Sequence, residues 1–570
     1  MYKYMLSLFS VSTFGETLTC VILVSLFQVI LLITGCGSSG SIVSSQDNHA
    51  VQEYFGLINI VKKELPDLVE ALTKFPKGAD LHNHLSGTVM PEDFIALGSA
   101  EGDCFGPDLL VPTMYTIVPA TAPGVCGSGY KPLAQSSAEE QQQLLRSFSM
   151  YRFNEKGVTS IQTGHDQFFA TFVRFGSISG SPGNMGPMLA KLLQQENAEN
   201  VSHVETMISF QSSAVNRLAN QLRLKYPDAA AFEQSVNYPE MYSYLLSAGL
   251  SDAVTAAQKD IGTYINAVRT ILRCDTMAKD PACEVSLVFQ ATANRNAALS
   301  DGSADLPKIF TQIALSCLLD DTENKVVGVN LLSGEDASVS MKNFTTQMKF
   351  FGFFKSRFPG VKIALHAGEI TPYFVGNGSP ALKEHLTGSI QAGARRLGHA
   401  VSFAYLTDNE KNEVIDMMRR NRTTVEINLT SNAQILGVTG DNHPFQHYFR
   451  KYGIPVVLST DDEGVSYSSF TDAWIYATRQ YQLTYSEAVL LARSSLQYSF
   501  LSGSALWDDI ASSAVISQCA GETVGSAIQG EPCKAFLENS EKARAQWNYE
   551  TKLSNFDRVY GTTLRKYLGN

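Results

Sequence analysis

Two histidines sit one residue apart in "KGADLHNHLSGTV", Lys77 to Val89, in a chain that has only ten. In a strand, residues i and i+2 point to the same face, so His82 and His84 can converge on one object. An isolated His-x-His is more simply a surface or internally satisfied pair, and the rest of the chain decides. "ALHAGE" adds His366 and, three residues later, Glu369; "RLGHAV" adds His399; "LSTDDEG" adds Asp461 and Asp462. Zinc takes nitrogen and oxygen ligands, and a catalytic site keeps one position for water. His82, His84 and His366 supply three imidazoles and Asp461 a carboxylate, a set suited to lowering the pKa of water toward about 7. Glu369 and His399 remain for proton transfer. Asp462 can orient the water or His399.

These residues need elements that bring them together. Short apolar runs recur at 79–85, 201–209, 284–292, 326–334, 361–369, 395–402, 423–431 and 454–462, separated by helical patterns. Strands alternating with helices argue for a parallel β/α architecture. Eight of them suggest an α/β fold of the closed (β/α)8 TIM barrel type, whose chemistry lies at the C-terminal ends of the strands. The candidate residues fall at those ends. The barrel with its insertions and C-terminal helices is expected over 76–570, preceded by a helix over 51–75. The Pro/Gly-rich stretch from Cys104 to Ser128 reads as an insertion loop.

In this order, "PKGADLHNHLSG", "LHAGE", "RLGHA", "TSN" and "STDDEG" resemble the adenosine deaminase family of the metal-dependent amidohydrolase superfamily. The helical extension, the Cys-bearing insertion and an export signal resemble its secreted, growth-factor-like branch. The resemblance implies one Zn2+ held by His82, His84, His366 and Asp461. It implies that Glu369 protonates purine N1, and that His399 and Asp462 activate and position the water that attacks C6. The expected reaction converts adenosine or deoxyadenosine to inosine or deoxyinosine plus ammonia, in nucleoside salvage. The fourth run, "VVGVNLLSG", lacks the lysine that bridges a second metal in many relatives, which favours a mononuclear site.

The sequence departs from the family pattern near the substrate. Ser86 stands where an aspartate often holds a ribose hydroxyl. Asn330 replaces an aspartate, and Ser333 a glycine whose backbone meets the purine, a role Gly334 takes if the register shifts by one. Glu463 replaces a proline. Ser86, Ser333, Gly334 and Asn432 are thus candidate substrate contacts, and Ser431 is a further candidate. Two alternatives stay open: a same-fold deaminase of another purine, such as adenine or a modified nucleoside, and a non-catalytic nucleoside-binding surface protein. His165 reads as structural, His203 and Glu205 as core or barrel-rim residues, and His385, His443 and His447 as residues without a role.

The N-terminus is set apart. "CVILVSLFQVILLIT" (20–34) is shorter than a membrane span needs. It leads into "ITGC" and a Gly/Ser-rich stretch, and resembles a bacterial lipoprotein signal. Residues 1–36 are read as a signal peptide with lipobox, Cys36 as the lipidated residue, and 37–50 as a flexible tether. The expected location is exported and membrane-anchored, at the periplasm or cell surface. In that compartment Cys104 with Cys126, Cys274 with Cys283, and Cys519 with Cys533 are candidate disulfides, while Cys317 reads as a buried thiol. Net charge is −11 with no basic stripe, which argues against nucleic-acid partners.

Overall fold

The computed structural model describes residues 40–122, 124–153 and 163–569, with side chains from His49 onward. The export segment and Cys36 lie outside the described residues. Among the described residues no helix is long and apolar enough to cross a membrane.

The eight apolar runs form eight strands: β1 (Gly78–His84), β2 (Val201–Ile208), β3 (Ser286–Asn294), β4 (Val326–Leu332), β5 (Ala364–Ala367), β6 (Arg396–His399), β7 (Thr424–Ile427) and β8 (Val456–Leu458). Strands β1 to β4 pair in parallel in chain order, as do β5 to β8. Two parallel bridges join the halves. Val329↔Ile363 links β4 to the approach of β5, and Asn83↔Asp461 links β1 to the segment after β8. The second seam is double, because Asp461 N–H donates to His82 O (2.8 Å) and His84 N–H to Asp461 O (3.0 Å). The sheet therefore closes on itself as a (β/α)8 barrel. Strands in such a barrel are covered on both faces, which is why they read as near-continuous apolar runs rather than alternating ones. Six of the seven β4 residues are buried.

The helical extension differs from the single helix expected over 51–75. Pro66 cannot continue a helix across the preceding turn, and it starts a second one at the first helical position. The two helices are α1 (Gly40–Glu64) and α2 (Pro66–Lys74). Helix α1 begins inside the 37–50 stretch expected as a flexible tether, so the chain is helical from Gly40. Once Ala50, Val51, Tyr54 and Ile58 are buried, adding N-terminal turns needs no new nucleus. Tyr54 anchors α1 on the barrel: its hydroxyl lies 2.7 Å from Thr430 Oγ1 and its ring 4.2 Å from Tyr476.

The insertion after β1 is also more ordered than a loop. Cys104–Pro107 pairs antiparallel with Tyr115–Val118 and Lys131–Pro132. Cys104 is bonded to Cys126, Cys274 to Cys283 and Cys519 to Cys533, and Cys317 is a buried thiol. The C-terminal region is helical over Glu531–Glu538, Glu541–Phe556 and Thr562–Leu568.

Candidate active site and metal centre

Four donors meet at the C-terminal mouth of the barrel. His82 Nε2 and His84 Nε2 each lie 3.2 Å from His366 Nε2. Asp461 Oδ1 lies 3.4 Å from His82 Nε2 and 3.1 Å from His84 Nε2. A tetrahedron with bonds of about 2.0–2.1 Å has edges of roughly 3.3 Å, so these spacings are those of donors around one divalent ion. Without a cation the arrangement is costly, since imidazole lone pairs and a carboxylate face one another in a buried site. The residues present therefore fit a metal.

The surroundings orient the ligands. His82 Nδ1 is 2.7 Å from Glu426 Oε2, and His366 Nδ1 is 3.0 Å from Asn330 Oδ1. Such contacts at the far ring nitrogen fix the tautomer that leaves Nε2 free to coordinate. Asn330, one of the departures, thus contacts a ligand histidine. Gly398 is required by packing, because a Cβ there would come within 2.5 Å of the His82 ring. Gly87, in the same turn as Ser86, is required by Asp462: its Cβ would fall 1.6 Å from Asp462 Oδ1.

The backbone is bent to aim these groups. His399 (φ +68°), Ala400 (+49°), Asp461 (+64°) and Ser333 (+90°) all have left-handed φ. Each costs roughly 1–2 kcal/mol for a residue with a Cβ, and such strain concentrates at functional sites. The left-handed backbone falls at Ser333 and not at Gly334. Asn296 Nδ2 donates to both the Ser333 hydroxyl (3.2 Å) and Gly334 O (2.7 Å).

Glu369 and Asp462 complete the group. Both are buried, and Glu369 Oε1 and Asp462 Oδ1 have no hydrogen-bond partner among the described residues. Burial, reinforced by the charges of Asp461 and Glu335, pushes the Glu369 carboxyl well above the usual range. Burial likewise pushes Asp462 up to about 8 against the pull of His84; a bound divalent cation would draw it back. Burial lowers His399 to about 3.

Glu369 is held by a group that the sequence reading assigned no role. Glu335 accepts the N–H of Gly368 (2.9 Å) and of Glu369 (2.6 Å), and pairs with His385 Nδ1 (2.5 Å) and Arg295 Nη1 (3.6 Å). Arg295 Nη2 also donates to His366 O at 2.6 Å. His385, expected to be without a role, is stacked on Phe344 at 3.9 Å and faces Glu335. Glu335 lay in view within "NLLSGED", but only the fold shows that it reaches the backbone that follows β5.

Other candidates are placed as follows. Ser86 is half-buried on the turn Leu85–Thr88. Asn432 is fully buried, with its amide between His399 Nδ1 (2.9 Å) and His443 Nε2 (3.0 Å). Ser431 is buried and donates to Asn428 O. Glu463 turns away from the site and accepts the Phe470 N–H and the Gln195 amide. His203 and Glu205 are buried inside the barrel wall, with Glu205 on Arg396 at 2.6 Å. His165 spans from the insertion to Asp336 at 3.4 Å, its ring between Phe169 and Phe374.

A family model for adenosine deaminase matches residues 311–511. Among curated proteins, the N6-methyl-AMP deaminase of Bos taurus is 24% identical over 238 residues, 42% of this chain and 61% of that protein. The adenosine deaminase of Clostridium acetobutylicum is 27% identical over 212 residues, 36% of this chain and 59% of that protein. The chain spans about three fifths of the length of these relatives. Among solved structures, the apo N6-methyl-AMP deaminase from Arabidopsis thaliana aligns over 76% of this chain and 94% of its own, with TM-score 0.46 and 16% identity.

Proposed function

We propose that this chain, which carries an adenosine deaminase family domain, is a zinc-dependent deaminase of adenosine and deoxyadenosine. The observation that carries the reading is the gathering of His82, His84, His366 and Asp461 with Glu369 and His399 at one barrel mouth, with Asp462 interacting with the same group. Zinc held by the first four would act as a Lewis acid that makes water a nucleophile near neutral pH. Glu369, kept protonated by burial, donates to purine N1 and makes C6 electrophilic. His399 and Asp462 hold and activate the attacking water, which gives up one proton to this pair's side of the site as its oxygen bonds to C6. That proton passes to the 6-amino group, which leaves as ammonia. The second water proton returns to Glu369 as the C6 carbonyl forms.

The N-terminal reading joins this proposal: the enzyme is exported and anchored through lipid on Cys36, and the three disulfides fit an oxidising compartment. The test is turnover by residues 37–570 loaded with Zn2+, followed by ultraviolet absorbance on adenosine, deoxyadenosine, adenine, AMP and N6-methyl-AMP. Preference for the two nucleosides supports the reading. Turnover of only adenine or N6-methyl-AMP reassigns the substrate, and turnover of none overturns it. Palmitate labelling that persists in Cys36→Ser would refute the anchor.

A further inference from the structure

His399 reaches the site at the end of a chain of hydrogen bonds whose direction can be read from one unambiguous donor. The Phe445 backbone N–H points at His443 Nδ1, 3.1 Å away. A backbone N–H can only donate, so Nδ1 of His443 is an acceptor and carries no proton. The ring's one proton must then be on Nε2, which lies 3.0 Å from Asn432 Oδ1. Asn432 accepts there with its oxygen, so its Nδ2 faces His399 Nδ1, 2.9 Å away, as a donor. His399 Nδ1 is therefore also an acceptor, and the His399 proton sits on Nε2. That nitrogen points into the metal centre, 4.0 Å from Asp461 Oδ2.

Two neighbours bear on the assignment. Glu369 Oε1 stands 3.5 Å from His399 Nδ1, farther off than Asn432. Asn428 Nδ2 is 3.4 Å from both ring nitrogens, while its Oδ1 is buried without a partner. Exchanging that amide's oxygen and nitrogen would turn an acceptor to Nε2–H, in agreement with the assigned tautomer.

We propose that Asn432 and His443 are positioning residues that lock His399 as its Nε2–H tautomer, so that it presents a hydrogen-bond donor to the reacting oxygen. His399 then holds that oxygen and stabilises the charge growing on it, as an oxyanion donor does. Uptake of the water proton falls to Asp462. Neither Asn432 nor His443 touches the reacting atoms. Both act through the ring of His399, and both are fully or nearly fully buried, where such a chain is not broken by solvent. The consequence for turnover rests on the deaminase reading; the tautomer does not.

The experiment separates the two. Long-range proton–nitrogen correlation spectra of 15N-histidine-labelled, zinc-loaded enzyme report which ring nitrogen is protonated, with the His399 signals identified by their loss in His399→Gln. The expected wild-type pattern is Nε2 protonated and Nδ1 bare. A bare Nε2 with protonated Nδ1 overturns the proposal, whatever the activity. Asn432→Asp replaces the donor with a carboxylate that can only accept, so the proton must move to Nδ1. A misassigned catalytic tautomer costs about 10²–10⁴-fold in kcat, and a loss in that range with KM little changed is expected. Zinc content should stay near one per chain. His443→Phe should lose turnover in the same sense, and His443→Gln, which restores a donor to Asn432 Oδ1, should recover most of it. Equal loss in both His443 variants, or an Asn432→Asp enzyme within threefold of wild-type kcat, would overturn the positioning role.

Discussion

Replacing Glu335 by glutamine tests whether a buried charge holds the acid in place. Glu335 is fully enclosed, and burial alone would raise its carboxyl. The His385 and Arg295 charges, with the Gly368 N–H, outweigh burial and hold it at about 2 against the usual 4.5. A depression of about 2.5 units at roughly 1.36 kcal/mol each is about 3 kcal/mol in favour of the ionised, folded form. Glutamine keeps the shape of the protonated acid and removes that contribution. For 570 residues, at about 2.1 cal/mol/K each, the unfolding entropy is about 1.2 kcal/mol/K, so Tm should fall by about 3 °C. The sign with pH follows from the depressed pKa. The contribution is complete above about 4.5 and is lost as pH falls toward 2, so the gap in Tm between wild type and variant should be full at pH 7 and close below pH 4. Scanning calorimetry from pH 7 to pH 3 reads both. Activity should fall as well, because the Gly368 and Glu369 N–H groups lose their charged acceptor and Glu369 drifts. A displacement of about 1 Å costs on the order of 10²-fold. An unchanged Tm at pH 7, or a gap that does not depend on pH, would refute the electrostatic reasoning; a destabilised variant with full kcat would refute the positioning of Glu369.

Further outcomes follow from the site. Glu369→Gln should lower kcat by at least about 10²-fold while zinc content by metal analysis stays near one per chain, whereas His366→Ala should lose the metal itself. Gly87→Ala forces a Cβ into Asp462 Oδ1; a cost of about 1–3 kcal/mol in urea denaturation and a sharp loss of turnover are expected. Cys126→Ser opens a bond of sequence separation 22, worth about 3 kcal/mol. The urea midpoint should drop relative to wild type, and the difference should vanish when both are measured in reductant.

What the chain determined by itself was the set of groups that point at the reaction and the strands that carry them. His82 and His84, His366, His399 and the Asp461–Asp462 pair stand at the ends of apolar runs, and local spacing is enough to see that. A strand buried on both faces advertises itself as an unbroken apolar stretch, and the C-terminal ends of such strands meet in a closed barrel. The helix break at Pro66 is a local effect of proline's missing N–H and its ring, yet the single helix expected over 51–75 ran through it. Tertiary structure alone decided what holds those groups. Glu335 grips the backbone just beyond β5 from 34 residues away, His443 reaches His399 through Asn432, and Arg396 lies between Glu205 and Glu426 inside the barrel with the Phe500 ring against it. In sequence each of these is a lone polar residue with no partner motif. Their roles come from contacts between segments far apart in the chain, and the low dielectric of the closed barrel gives those contacts their strength. Left-handed φ at His399, Asp461 and Ser333 belongs to the same class. No residue type there asks for it, and it persists because the packed strands around it leave the chain no other course.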